Sequence, residues 1–111
     1  MKVELDALRL IIAKEHSFTS KMRYLDPGHE AMVPLLISFT EYFKSLEEPL
    51  TQDEKREIRL SAIGNVVQRP IESFYNLTSW ELSSITNFLK ELNEEQDDKA
   101  NKFIEYLSNG A

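Results

Sequence analysis

Leu50-Thr51-Gln52-Asp53-Glu54 and Leu77-Thr78-Ser79-Trp80-Glu81 open the two halves of one stretch, residues 50–92, with the same signal. In each, a Thr side chain is placed to accept from the free N–H groups of a first helical turn. A Glu three residues on can reach back to the Thr N–H, which completes a capping box. The second start adds a hydrophobic staple, Leu77 with Leu82, where the first has Lys55 at the matching position. Between them runs Gln68-Arg69-Pro70-Ile71-Glu72-Ser73-Phe74-Tyr75-Asn76. Pro70 pushes Arg69 out of the helical region and stops the first helix. The stretch therefore predicts helices over 51–68 and 78–92, joined by a loop with Ile71, Phe74 and Leu77 as core anchors. A short extended piece in that loop has no obvious partner.

Outward from this centre, the chain keeps a helical period. In 3–25, Leu8, Ile11, Phe18, Met22 and Leu25 fall on one stripe, which Leu5 and Ile12 widen. Residues 16–20 have weak helix propensity, and Asp26-Pro27-Gly28 marks a break. Met32, Leu35, Leu36, Phe39, Phe43 and Leu46 then form a second apolar stripe. Pro34 would cost that helix a hydrogen bond if it began at Pro27, so a start near Val33 or a kink is expected. The short break predicts that residues 1–48 form an antiparallel helical hairpin. The third helix has a charged, exposed start and an apolar end at Ile58, Ala62, Ile63, Val66 and Val67, with Gly64 leaving room for a close helix contact. The fourth carries Leu82, Ile85, Phe88, Leu89 and Leu92. Residues 93–98 read as an acidic connector or as the exposed start of a last helix bearing Ala100, Phe103, Ile104 and Leu107. The prediction is a single all-α domain, a compact bundle of four to five helices.

With 111 residues, 41% hydrophobic and 29% charged, the chain has the composition of an ordinary globular domain. It has no cysteine, which excludes disulfides, thiol catalysis and Cys-ligated metal. Acidic residues at the N-terminus and the absence of a long apolar run predict a cytoplasmic protein without a membrane partner. The net charge of −6 disfavours generic nucleic-acid binding. Its acids concentrate after residue 76, while 51–76 is balanced.

The run Arg59…Ile63-Gly64…Gln68-Arg69-Pro70-Ile71-Glu72-Ser73…Asn76-Leu77-Thr78-Ser79-Trp80-Glu81…Ile85…Leu89 resembles a small helical module of bacteriophage recombination and replication proteins, some single-strand annealing proteins among them. That module has an Arg-bearing helix, Gly-Arg-Pro-Ile/Val, one or two Ser, Asp/Asn-Leu-Thr, an acidic residue and an apolar helix. Gln68 stands where the pattern prefers Gly, and Trp80-Glu81-Leu82 replaces a small-residue step. The resemblance implies a phage or mobile-element origin and a role near DNA metabolism, but no reaction.

Catalytic and metal chemistry finds little support. Glu15-His16 and His29-Glu30 hold the right groups, but adjacent residues on a helix do not face each other and no three- or four-residue ligand spacing occurs. The carboxylate pairs Glu47-Glu48, Glu94-Glu95 and Asp97-Asp98 sit in connectors or first turns. The three glycines are isolated, so no phosphate loop exists, and no cofactor is expected. The candidate binding residues are Arg59, Arg69, Phe74, Tyr75 and Trp80, with Lys55 and Arg56 beside them. Basic groups plus stacking surfaces suit single-stranded nucleic acid. The competing expectation, which we favour, is that Asp53, Glu54 and Glu57 neutralise the bases and that the aromatics are core. Trp80 either anchors a protein partner or covers the loop 70–76. Glu91, Glu94, Glu95, Asp97 and Asp98 are a candidate acidic face. Three functions follow: a non-catalytic accessory or adaptor protein acting through protein–protein contact, an acidic mimic of nucleic acid that inhibits a host nuclease or another basic protein, or a weak single-strand-binding module. The apolar face of helix two also suits a homodimer.

Overall fold

Both capping boxes form. Thr51 Oγ1 accepts from the Glu54 N–H at 3.1 Å while Glu54 Oε1 accepts from the Thr51 N–H at 3.0 Å. The Thr78–Glu81 pair repeats this at 3.1 and 2.9 Å, here in a buried setting. They start two of the five helices that the computed structural model, which describes residues 1–14 and 32–110, contains among those residues. These are α1 (Lys2–Ala13), α2 (Val33–Lys44), α3 (Gln52–Val67), α4 (Ser79–Glu95) and α5 (Lys99–Ser108), with a 3-10 turn at Phe74–Asn76 in the loop after α3. The fold is an all-α bundle, with five helices among the described residues. No helix among the described residues is long and apolar enough to cross a membrane.

Helix α2 starts at Val33 with Pro34 in its first turn, where the missing N–H costs nothing. The expected extension of helix one to residue 25, the break at 26–28 and both histidines lie outside the described residues. Helix α4 runs three residues past the predicted end. Asn93, Glu94 and Glu95 are therefore helical, and the chain reverses at residues 96–98. Asp98 takes a left-handed φ of 66° there, and Asn93 Oδ1 accepts from the Ala100 N–H at 3.1 Å in place of a side-chain cap from Asp98.

The core is built from Leu5 and Leu8 of α1, Leu35, Phe39 and Tyr42 of α2, Ala62, Ile63 and Val66 of α3, and four apolar residues each from α4 and α5. Ile71, Phe74 and Leu77 enter it from the loop, as predicted. Helix α1 packs on α4 and α3, whereas α2 packs on α5 and α4. The turn of the expected N-terminal hairpin and the second half of its first helix lie outside the described residues. The broad apolar face of α4 (Leu82, Ile85, Leu89, Leu92) serves both N-terminal helices, and that of α5 (Ala100, Phe103, Ile104, Leu107) adds a second partner for α2.

The end of α3 explains Gly64. Gln68 caps the helix in the left-handed conformation, φ 60°, and Gly64 O accepts from the Gln68 and Arg69 N–H groups. A Cβ on Gly64 would stand 3.2 Å from Arg69 O. The close approach is therefore made by the chain's own turn, not by a neighbouring helix as expected.

Candidate functional site

Of the predicted binding residues, Arg69 is committed internally. Its Nη1 and Nη2 bond Glu81 Oε2 and Oε1 at 2.5 and 2.8 Å, and Nη2 also donates to Asn76 O at 2.8 Å. The Glu81 side chain is 6% exposed and that of Arg69 36%. Burial pushes the Glu81 carboxyl upward. The Arg69 bonds, the Thr78 N–H and the Arg69 charge outweigh it and hold the group below the ordinary glutamate value. One ion pair thus ties the end of α3, the 3-10 turn and the cap of α4 together. Arg69 acts as a latch between these elements.

The aromatics separate as well. Phe74 is core, with its ring centroid 6.0 Å from that of Phe39, so it offers no stacking face. Trp80 turns to α1, where its Nε1 donates to Ile12 O at 3.3 Å. It lines a slot with Arg9, Ile12, Val66 and Val67. Tyr75 stays 37% exposed at the opposite side of the loop. The surface expected to unite Arg59, Arg69, Phe74, Tyr75 and Trp80 is therefore divided between two places.

One of these places is a groove that, among the described residues, lies open between α2 and α3. Its first section, about 330 Å³, is lined by Met32 and Leu36 on one wall, Arg56, Arg59 and Leu60 on the other, and Phe74 and Tyr75 at the end. Its second, about 560 Å³, lies between Thr40 and Phe43 of α2 and Gln52 and Lys55 of α3, and shares Arg59 with the first. The 45–51 connection closes the far end. Arg56 Nη2 donates to Glu72 O at 2.7 Å and helps hold the loop that forms the near end. Lys55 Nζ sits 5.9 Å from the Phe43 ring centroid, a cation–π contact across the groove. Arg59 makes no hydrogen bond or ion pair among the described residues.

The acids that were expected to neutralise these bases do not. Asp53, Glu54 and Glu57 are all exposed, and no ion pair within α3 forms among the described residues. Glu54 is spent on the Thr51 cap, whose N–H and hydroxyl lower its carboxyl pKa. At 100° per residue, Asp53, Glu54 and Glu57 lie on the far side of α3 from Lys55 and Arg59.

Leu36 was missed as a groove residue, whereas Lys55 and Arg56, named beside the candidates, line the groove. The buried stripe of α2 is Met32, Leu35, Phe39 and Tyr42, rotated from the predicted one, and this leaves Leu36 41% exposed at its edge. A legible signal lay in α3. Its buried residues Ala62, Ile63 and Val66 continue backwards, in steps of three and four, to Arg59, Arg56, Lys55 and Gln52.

Glu91, Glu94 and Glu95 share the solvent side of the last turns of α4, and exposed Asp97 and Asp98 follow in the turn. Lys99 interrupts this acidic end: its Nζ lies 2.7 Å from Glu95 Oε2 and 3.8 Å from Glu4 Oε1. No protein-family model matches the chain, and no curated protein or solved structure shows significant similarity to it.

Proposed function

We propose that this is a non-catalytic accessory or adaptor protein that works by protein–protein contact, with the groove between α2 and α3 as its docking face. The observation that carries this reading is the groove itself. Leu36 and Tyr75 present apolar surface to it, and Arg59 presents a guanidinium with no hydrogen bond or ion pair among the described residues. Apolar area beside an unpaired Arg is the residue mixture that protein interfaces enrich. The resemblance of residues 50–92 to a phage module supports a setting near DNA metabolism, in a phage or mobile element. Placing a photo-crosslinking amino acid at Leu36, with a second at Ser83 on an exposed part of α4, tests the reading in the cells of origin. A defined protein crosslinked from Leu36 and not from Ser83 is the expected result. No protein adduct, or the same adducts from both positions, overturns it.

The exposed acids at the end of α4 favour a second reading, an acidic mimic that occludes a basic protein. Crosslinks from Asp97 in place of Leu36 would favour that reading.

A further inference from the structure

We infer that the partner segment is an acidic amphipathic helix laid between α2 and α3; the inference rests on the docking face proposed above. A helix that packs on a neighbour is apolar along its contact stripe. Helix α3 obeys this at Ala62, Ile63 and Val66, which are buried. One to three turns earlier, the same stripe carries Arg59, Arg56, Lys55 and Gln52, and here α2 does not close over it. Cations at successive contact positions oppose packing against an apolar helix of the same chain, and they invite carboxylates from outside. The back of α3, with Asp53, Glu54 and Glu57, has the opposite sign, so the helix is polarised towards the groove. Among the described residues, Glu47 and Glu72 are the acidic residues of the groove lining.

The opposite wall fixes the rest of the ligand. Met32, Leu36, Thr40 and Phe43 recur on α2 at steps of four, four and three, and form a largely apolar line. From Met32 to Phe43 the wall is about 16 Å long at the helical rise, enough for roughly three turns of a bound helix. Such a helix presents apolar residues at i, i+3, i+4 and i+7 to α2, and Glu or Asp on its flank to Lys55 and Arg59. Tyr75, exposed at the near end, supplies a stacking or hydrogen-bonding edge. The apolar wall and the chain's net charge of −6 favour this occupant over a nucleic-acid strand.

The probe is a fluorescein-labelled synthetic helix of roughly 15 residues with Leu at the i, i+3, i+4 and i+7 positions and Glu on one flank. Anisotropy is read with the wild-type chain, Leu36→Ala, and the double variant Lys55→Glu/Arg59→Glu. The expected result is saturable binding, weakened about tenfold or more by the double charge reversal. A second peptide with Lys in place of each Glu should recover affinity for the double variant only. Circular dichroism and Trp80 fluorescence report whether each variant keeps the native fold. Failure of the acidic helix to bind wild type, while Leu36 crosslinks a protein, overturns the acidic-helix inference and leaves the adaptor reading standing. No binding and no crosslink together overturn both. Salt-sensitive binding of a labelled single DNA strand without peptide binding transfers the groove to nucleic acid. A concentration-dependent dimer that blocks the peptide and is broken by Leu36→Ala assigns the groove to a second copy. Either of these last two results also overturns the inference.

Discussion

Replacing Arg69 with Ala isolates the Glu81 carboxylate in a nearly closed setting. Glu81 then keeps only the Thr78 N–H of its three strong donors, and Asn76 O loses its Nη2 partner. Breaking a fully buried ion pair from one side costs about 3–5 kcal/mol. Here the Arg69 side chain is 36% exposed, so water replaces part of what is lost, and about 2–3 kcal/mol at pH 7 is the expected cost. The pH dependence is the sharper test. In the wild type, Glu81 has a folded pKa below its ordinary value. Its contribution is full above that ordinary value and is lost as pH falls through the folded one. In Arg69→Ala the bonds and charge that lower the Glu81 pKa are lost while burial still raises it, so the folded pKa rises relative to the wild type. The gap between the two proteins should therefore be widest near pH 7 and narrow on acidification. Urea unfolding, followed by circular dichroism and by the fluorescence of Trp80, measures both at about pH 7 and about pH 3.5. A cost under about 0.5 kcal/mol at pH 7, or one of equal size at both values, would refute the latch.

Gln68→Gly should raise stability by about 0.5–1 kcal/mol, since it relieves a left-handed side-chain clash at a modest cost in unfolded-state entropy; a lower melting temperature contradicts the cap geometry. Thr78→Ala should cost about 1–2 kcal/mol and Thr51→Ala about half that, because the first cap is buried and the second exposed; chemical denaturation orders them, and a reversed order counts against the buried start of α4. Ile85→Ala should cost about 2–5 kcal/mol, since Ile85 is fully enclosed between helices, and a near-neutral denaturation midpoint would remove α4 from the core.

What the sequence made legible was local. Two Thr-x-x-Glu starts, Pro70 after α3 and the staple residues Leu77 and Leu82 each specify backbone geometry within a few positions, and the structure places them accordingly. The pairing of helices was less legible, because an amphipathic stripe states that a face is buried and not against what. The break at 26–28 says that helices one and two are close in sequence, but not that both of them also pack on α4, as the described residues do. Phase errors of one residue mattered too. The stripe expected for helix two included Leu36 and left out Tyr42; a small rotation of α2 exchanges them and leaves Leu36 at the groove.

The candidate site failed in sequence for a related reason. Arg69, Phe74, Tyr75 and Trp80 are neighbours along the chain, but a capped turn between two helices sends successive side chains in different directions. Glu81 is the residue that decides the outcome. It was read as the acid of a capping box, and it is that, but a carboxylate has two oxygens and room for more than one donor. The oxygen left over by the cap attracts the nearest guanidinium, and Arg69 stands at the end of α3, twelve residues earlier. A buried capping Glu therefore implies a second donor, and in a loop that contains one Arg the second donor is already named. With Arg69 so assigned, Lys55, Arg56 and Arg59 remain for recognition. Glu72 O takes part of Arg56, Phe43 takes part of Lys55, and Arg59 is left facing the groove.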